Sequence, residues 1–412
     1  MDRTRPSWRS ESTIGNVSIA PKMGQISAFD GIRGIGVLMV IAVHAAPLQL
    51  ESWSSSLDVF FVVSGFLITT LLLEESNRTG AISLRRFYNR RAWRLLPGLY
   101  TLLAVALVLL LVASVIVDDV DVGYFIRQDI LPAGLYYYNF ANPLGYPTDG
   151  VVLFQMWSLA LEEQFYVVGA LLIVVLVRTR QLILGAVLLT VAAIGIQVAR
   201  GGGHLGPLNF WLQRPDALLL GVVLAIVNSR IPAELSLRSQ RLLRIAGWAA
   251  VAVLVVTMSY SLEPIRKVFG VYVPFTPELP ESLSGQAAFR YSMAALTEGN
   301  YWIRWGFTAT IWATCVLVLV LARQKDWIVG RALSVRPIRL VGRMSYVLYL
   351  FHTLPLWLVV YPMGGNIAVR VLLAWILAFA LSTPVYLFVE KWALRRKNRH
   401  SSLVPPSTGT AV

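Results

Sequence analysis

Residues Phe29 to Pro47 read FDGIRGIGVLMVIAVHAAP, an apolar run that keeps an arginine, Arg33, near one end and a histidine, His44, near the other. A helix needs about 20 mostly apolar residues to cross the bilayer hydrocarbon. This run supplies them without the period-two alternation of a barrel strand. The residues before it are polar and include Arg3, Arg5, Arg9 and Lys22, and no small-residue cleavage site of the usual kind follows, so we expect a retained first span and not a signal peptide.

The rest of the chain follows suit. Of 412 residues, 56% are hydrophobic and 14% are charged, a balance that a water-soluble domain cannot hide in its own core. Ten apolar stretches emerge, at about 30–49, 57–73, 95–117, 157–177, 181–199, 208–228, 243–262, 304–322, 341–361 and 367–389. Most are too long for barrel strands, so the expected fold class is an all-α polytopic membrane protein with about ten transmembrane helices.

The net charge of +14 is decided by its placement. Arginines and lysines crowd the N-terminal tail, residues 78–94, 230–244, 323–343 and 391–399, all on one side of the membrane if the helices alternate. By the positive-inside rule that side is cytoplasmic, and both termini lie there. The basicity is thus topological before it concerns any ligand, and no nucleic-acid partner is expected, although cytoplasmic arginines can still meet a polyanion or anionic membrane lipids. The lone Cys315 provides no disulfide framework and no thiolate metal site, and the four histidines lack ligand spacing, so no metal is expected.

The chain divides into a polar cytoplasmic N-terminal tail (1–25), a transmembrane domain (26–392) and a basic, then disordered, cytoplasmic tail (393–412). Two long segments, 118–156 and 263–303, face outside in this topology; their prolines and aromatics suit ordered loops that either dock an acceptor or merely cap the outer face.

Arg33 and His44 are eleven positions apart, within about 20° of three full helical turns, so they share one face roughly 16 Å apart along the axis. One end of that face meets the cytoplasmic interface and the other lies beyond the midplane. Such a track suits a long ligand with a charged head and a reactive tail. The bland alternative is an arginine that snorkels and a histidine that packs. Other ionisable groups favour the site: Asp58 in SLDVFFVVSGFLI, Glu162 and Glu163 in WSLALEEQFY and His352 in SYVLYLFHTLP, all at membrane depth. Ionisable groups there face a cavity or one another. On the cytoplasmic side, LRRFYNRRAWRLLPGLY offers Arg90, Arg91 and Arg94, the last two on one face at i, i+3, which suits phosphate oxygens or, equally, anionic lipid.

Taken in order, FDGIRGIGVLMVIAVH, DVFFVVSGFLIT, RRFYNRRAWRLLPGLY, WSLALEEQFY, RPDALLLGVVLA and SYVLYLFHTLP resemble the membrane-bound acyltransferase-3 family of bacterial O-acyltransferases, over about residues 26–392. The resemblance implies transfer of an acyl group, usually acetyl, from cytoplasmic acyl-CoA to a hydroxyl of an envelope sugar, polysaccharide or glycolipid, or of a macrolide. It implies a multi-pass protein of the bacterial cytoplasmic membrane. Arg33 and His44 match the family's Arg-x10-His signature, with the histidine taken as catalytic, and Arg91 and Arg94 match its Arg-x-x-Arg motif for the donor. Glu162 and Glu163 match its acidic positions, and Ser64 with Gly65 its Ser-Gly pair. Arg214 and Asp216 in the RPD segment join the candidates. Some members carry a fused esterase-like domain; this chain ends too soon for one, so such a partner is expected to be separate.

His44 is then the candidate base for the acceptor hydroxyl, or a transient acyl carrier. Glu162, Asp58 or His352 would orient it or bind the acceptor, and Ser64, Tyr166 or Tyr349 would supply oxyanion donors. The rival from another class is a proton-coupled transporter or flippase, since intramembrane Asp, Glu and His also build proton relays.

Overall fold

The computed structural model describes residues 26–47, 49–117, 120–141, 153–201, 214–262, 301–363 and 366–402. The N-terminal tail, residues 403–412 of the C-terminal tail, most of the segment 263–303 and part of 118–156 lie outside the described residues, while 393–402 continue the helix that begins at Lys391. No strand occurs among those described, and the protein is an all-α, multi-pass membrane protein.

Among the described residues eight helices are long and apolar enough to cross a membrane: α1 (Ser27–Ala45), α2 (Ser56–Thr79), α3 (Leu84–Ile116), α4 (Met156–Arg178), α5 (Leu182–Gly201), α7 (Leu237–Ser259), α8 (Tyr301–Arg323) and α11 (Ile367–Val385, continued by a further helix). α9 (Arg336–Phe351) and α10 (Thr353–Met363) are together long and apolar enough for one more crossing and meet at 49°. Of the stretch expected at 208–228, the described residues form α6 (Pro215–Arg230), 16 residues long; residues 208–213 lie outside those described.

Burial separates the helices. The apolar windows of α1 and α2 are 67% and 72% buried, whereas those of α3 and α7 are 17% buried. The first span and its neighbour therefore form the interior, and α3 turns Val108, Leu111, Val112 and Val115 outward, as lipid contact demands.

Close packing of the interior depends on missing side chains. Gly31 and Gly34 of α1 lie against the backbone of Leu333, Ile338 and Gly342, and Gly342 itself faces the backbone of Asp30. Gly65 of α2 meets Gly221 of α6, with the Gly221 Cα 3.2 Å from where a Cβ would sit. With no water to drive helices together in lipid, such small-residue contacts and the dispersion they permit hold a bundle.

The break after α9 follows from sequence. Pro355 in HTLP has no amide hydrogen for the carbonyl of Phe351 and its ring crowds that carbonyl, so the helix bends at His352.

Residues 120–141 of the segment 118–156 run beside α4, where Gln164 holds the Tyr136 carbonyl at 2.7 Å and pairs with the Asn139 side chain at 2.8 and 3.0 Å. Gln164 lies two turns inside α4, and its amide satisfies backbone that would otherwise be bare at that depth.

Candidate active site

α1 ends one residue after His44, so the imidazole sits in the last turn, facing the bend between α9 and α10. Gly31, Gly34 and Gly342 bring α9 against α1, and His352 at the bend meets His44: its Nε2 is 3.0 Å from His44 Nδ1, and its Nδ1 is 2.7 Å from the Tyr349 carbonyl. Phe154 closes the other side of the His44 ring edge-on, and the Tyr361 hydroxyl donates to the His44 carbonyl.

A polar line leads away from this pair along α4. Gln155, Ser158, Glu162 and Tyr166 recur at i, i+3, i+7 and i+11 and lie on one side of the helix. The Tyr349 hydroxyl donates to the Gln155 carbonyl at 3.0 Å and bonds the Ser158 hydroxyl, and Gln155 Nε2 donates to the Leu350 carbonyl at 2.7 Å. One turn on, Glu162 accepts from Ser64 at 2.5 Å and from Tyr166.

At the other end of the line, Arg91 stacks on the Tyr166 ring, 3.5 Å from its centroid, and pairs with Glu163 at 2.9 Å. Arg94 lies in electrostatic contact with Arg91, Arg33 and Glu390. The first helix thus has both ends joined through its neighbours, Arg33 to the arginine cluster and His44 to His352. The eleven-residue interval from Gln155 to Tyr166 equals that from Arg33 to His44, roughly 16 Å.

A cavity of about 140 Å³ opens beside the arginines, lined by Arg91, Glu163, Tyr166 and Tyr136 with Leu95 and Leu96. The buried Arg91 Nε has no partner among the described residues, leaving a donor for an anion entering there. Burial pushes the Tyr136 phenol above its ordinary range, and the Glu163 carboxylate pushes the same way, so that hydroxyl keeps its proton.

Of the three residues expected to orient His44, one meets it and two are engaged elsewhere. The ring partner of His44 is His352; Glu162 is held by Ser64 and Tyr166, and Asp58 is held by Arg214 at 2.5 Å. The physical reason is charge: Asp58 and Asp216, both fully buried, are drawn to Arg214 and to Arg200, which grips Asp216 at 2.9 and 3.2 Å. These form a second ionic cluster between α2, α5, α6 and α8. Arg90 pairs with Glu75 at 3.4 Å, beside the Arg86–Glu75 pair at 3.0 Å. The hydroxyls of Ser64, Tyr166 and Tyr349, expected as oxyanion donors, already donate within the protein.

Sequence reasoning passed over Gln155 and Ser158, although the polar period of QMWSLALEEQFY carries that signal. It also passed over Glu390, an ionisable residue in the apolar run VYLFVEKWAL that faces Arg94 and Arg33.

The profile of the family described as acyltransferase domain matches residues 26–390. The chain belongs to the acyltransferase-3 family. Its relatives include the O-acetyltransferase OatA of Staphylococcus aureus strain NCTC 8325, 26% identical over 93% of this chain and 60% of that protein, and OatA of strain MRSA252, 27% identical over 89% and 56%. A provisionally named O-acetyltransferase of strain COL is 34% identical over 50% of this chain and 35% of its own length. The chain spans about three fifths of the length of the curated relatives it matches first. No solved structure matches. The acyltransferase-3 match covers α1 to α11, so both the arginine cluster and the histidine pair fall inside it.

Proposed function

We propose that this protein is an integral-membrane O-acyltransferase that moves an acyl group, acetyl in the simplest case, from cytoplasmic acyl-CoA to a hydroxyl of a cell-envelope sugar, polysaccharide or glycolipid. The observation that supports it is the continuous polar line from Arg33, Arg91 and Arg94 to His44. The names of the OatA relatives support acetyl as the group and oxygen as the acceptor.

The donor's phosphates sit on the arginines, with the unpartnered Arg91 Nε as one donor to them, and the pantetheine arm follows the polar line of α4 toward His44. Apolar Leu95 and Leu96 border the entrance and suit the arm better than the headgroup. The thioester then reaches His44 without the charged head of CoA leaving the cytoplasmic side, which avoids carrying phosphate through hydrocarbon. His44 takes the acceptor's hydroxyl proton, the oxygen attacks the acyl carbon, the carbon–sulfur bond breaks and the proton passes to the leaving thiolate. Both termini lie in the cytoplasm, and the membrane is the bacterial cytoplasmic membrane.

The test is release of CoA thiol from acetyl-CoA by the purified protein in nanodiscs, with envelope glycolipids and macrolides as acceptors. Acceptor-dependent release by wild type, lost in His44→Ala while acetyl-CoA still binds, is the expected result; proton-coupled movement of a solute with no acyl-CoA binding would replace the enzyme by a transporter.

A further inference from the structure

We infer that His352 is a positioning residue that holds His44 in the tautomer with its proton on Nδ1, leaving the Nε2 lone pair as the atom that works. What that lone pair does rests on the acyl-transfer reading; the tautomer itself does not.

The inference follows from which atoms can donate. His352 is wholly buried, and its Nδ1 faces the Tyr349 carbonyl at 2.7 Å, with the Leu348 carbonyl also against the ring. A carbonyl oxygen only accepts, so His352 Nδ1 carries the hydrogen. A neutral imidazole has one N–H, which leaves His352 Nε2 a bare acceptor. That acceptor lies 3.0 Å from His44 Nδ1, which must therefore donate. With its single proton on Nδ1, neutral His44 presents Nε2 as a lone pair. The bend at Pro355 is what frees His352 to reach across while its Nδ1 stays tied to the preceding turn.

In acyl transfer the acceptor's proton moves to His44 Nε2 and then to the thiolate, and Nδ1–H donates to His352 throughout. The positive charge that His44 holds in between is shared with a second ring, as a carboxylate shares it in a hydrolase triad. A neutral orienter differs from a carboxylate in one respect: the resting pair carries no net charge at membrane depth.

Nitrogen-15 NMR of histidine-labelled protein, with the four histidines assigned by single replacement, reads the tautomer without any substrate. The expected spectrum has His44 protonated on Nδ1 and bare on Nε2, and His352→Leu, which fills the space but accepts nothing, scrambles that pattern. His352→Leu should lower kcat about 100-fold with the acetyl-CoA KM unchanged, whereas His352→Gln, whose amide oxygen still accepts, stays within about tenfold of wild type. A His44 signal protonated on Nε2, or equal turnover in the Leu and Gln variants, overturns the inference. If wild type shows the expected tautomer yet releases no CoA with any acceptor, the acyltransferase reading fails and the tautomer stands.

Discussion

Arg91 holds three contacts at once, with Glu163, with the Tyr166 ring and with the cavity, so its pairing and its ligand role can be separated by substitution. Glu163→Ala strands the guanidinium in a largely buried setting and should lower stability by about 3–5 kcal/mol, read as a drop in the detergent unfolding midpoint. The double change Arg91→Met with Glu163→Met removes both charges and should recover most of that loss while acetyl-CoA affinity stays weak. Among the described residues Arg94 has no such tight partner, and Arg94→Ala should raise the acetyl-CoA KM about tenfold with kcat little changed, one charge-assisted contact being worth about 1.4 kcal/mol or more. A change confined to acceptor affinity would move the donor site elsewhere. The arginine and histidine types, their spacing on α1 and the Arg91–Arg94 step were all legible in the sequence, because a shared helix face is a local property. The Asp58–Arg214 pair was not, since nothing local says which of several buried cations a carboxylate meets.

Helix contacts decide whether the two histidines meet at all. Gly342 lies so near the Asp30 backbone that any side chain there must push α9 from α1. Gly342→Val should cost about 1–3 kcal/mol of stability and, by parting His44 from His352, reduce turnover more than the stability loss explains. Gly195→Ala, at a position with open space around it, is the matched control and should change neither. Pro355→Ala restores an amide hydrogen in α10 and straightens the span; it should lower kcat with little effect on donor KM, checked by steady-state kinetics in nanodiscs. The apolar stretches were readable as helices, but α3 begins at Leu84, eleven residues before its apolar run, because the arginine-rich segment continues the same helix, and the stretch expected at 341–361 is bent and not one straight span. The inward run of residues 120–141 beside α4 was not readable, because its polar and aromatic composition suits a surface loop equally well until Gln164 is seen to satisfy its backbone.

The arrangement as a unit commits the two ends of α1 to opposite sides of the membrane, and that orientation can be measured. Cys315, the single cysteine, is buried, so introduced thiols report with little background. Asn77→Cys, at the arginine-rich end of α2, should be shielded from a membrane-impermeant maleimide in intact cells, and Asp121→Cys should be labelled; the reverse pattern would place the arginines, and with them the donor, outside. What the sequence by itself determined is the solvent of the fold, its helical class and the residue types of the site, since hydropathy, period and spacing all act within one segment. Only the tertiary structure decided the partners: His352, 308 positions from His44, meets it because glycines let two backbones touch and a proline bends one of them. Which ionisable groups neutralise one another and which are left free for chemistry is a competition among all buried charges at once, and in a medium without water only the packed arrangement settles it.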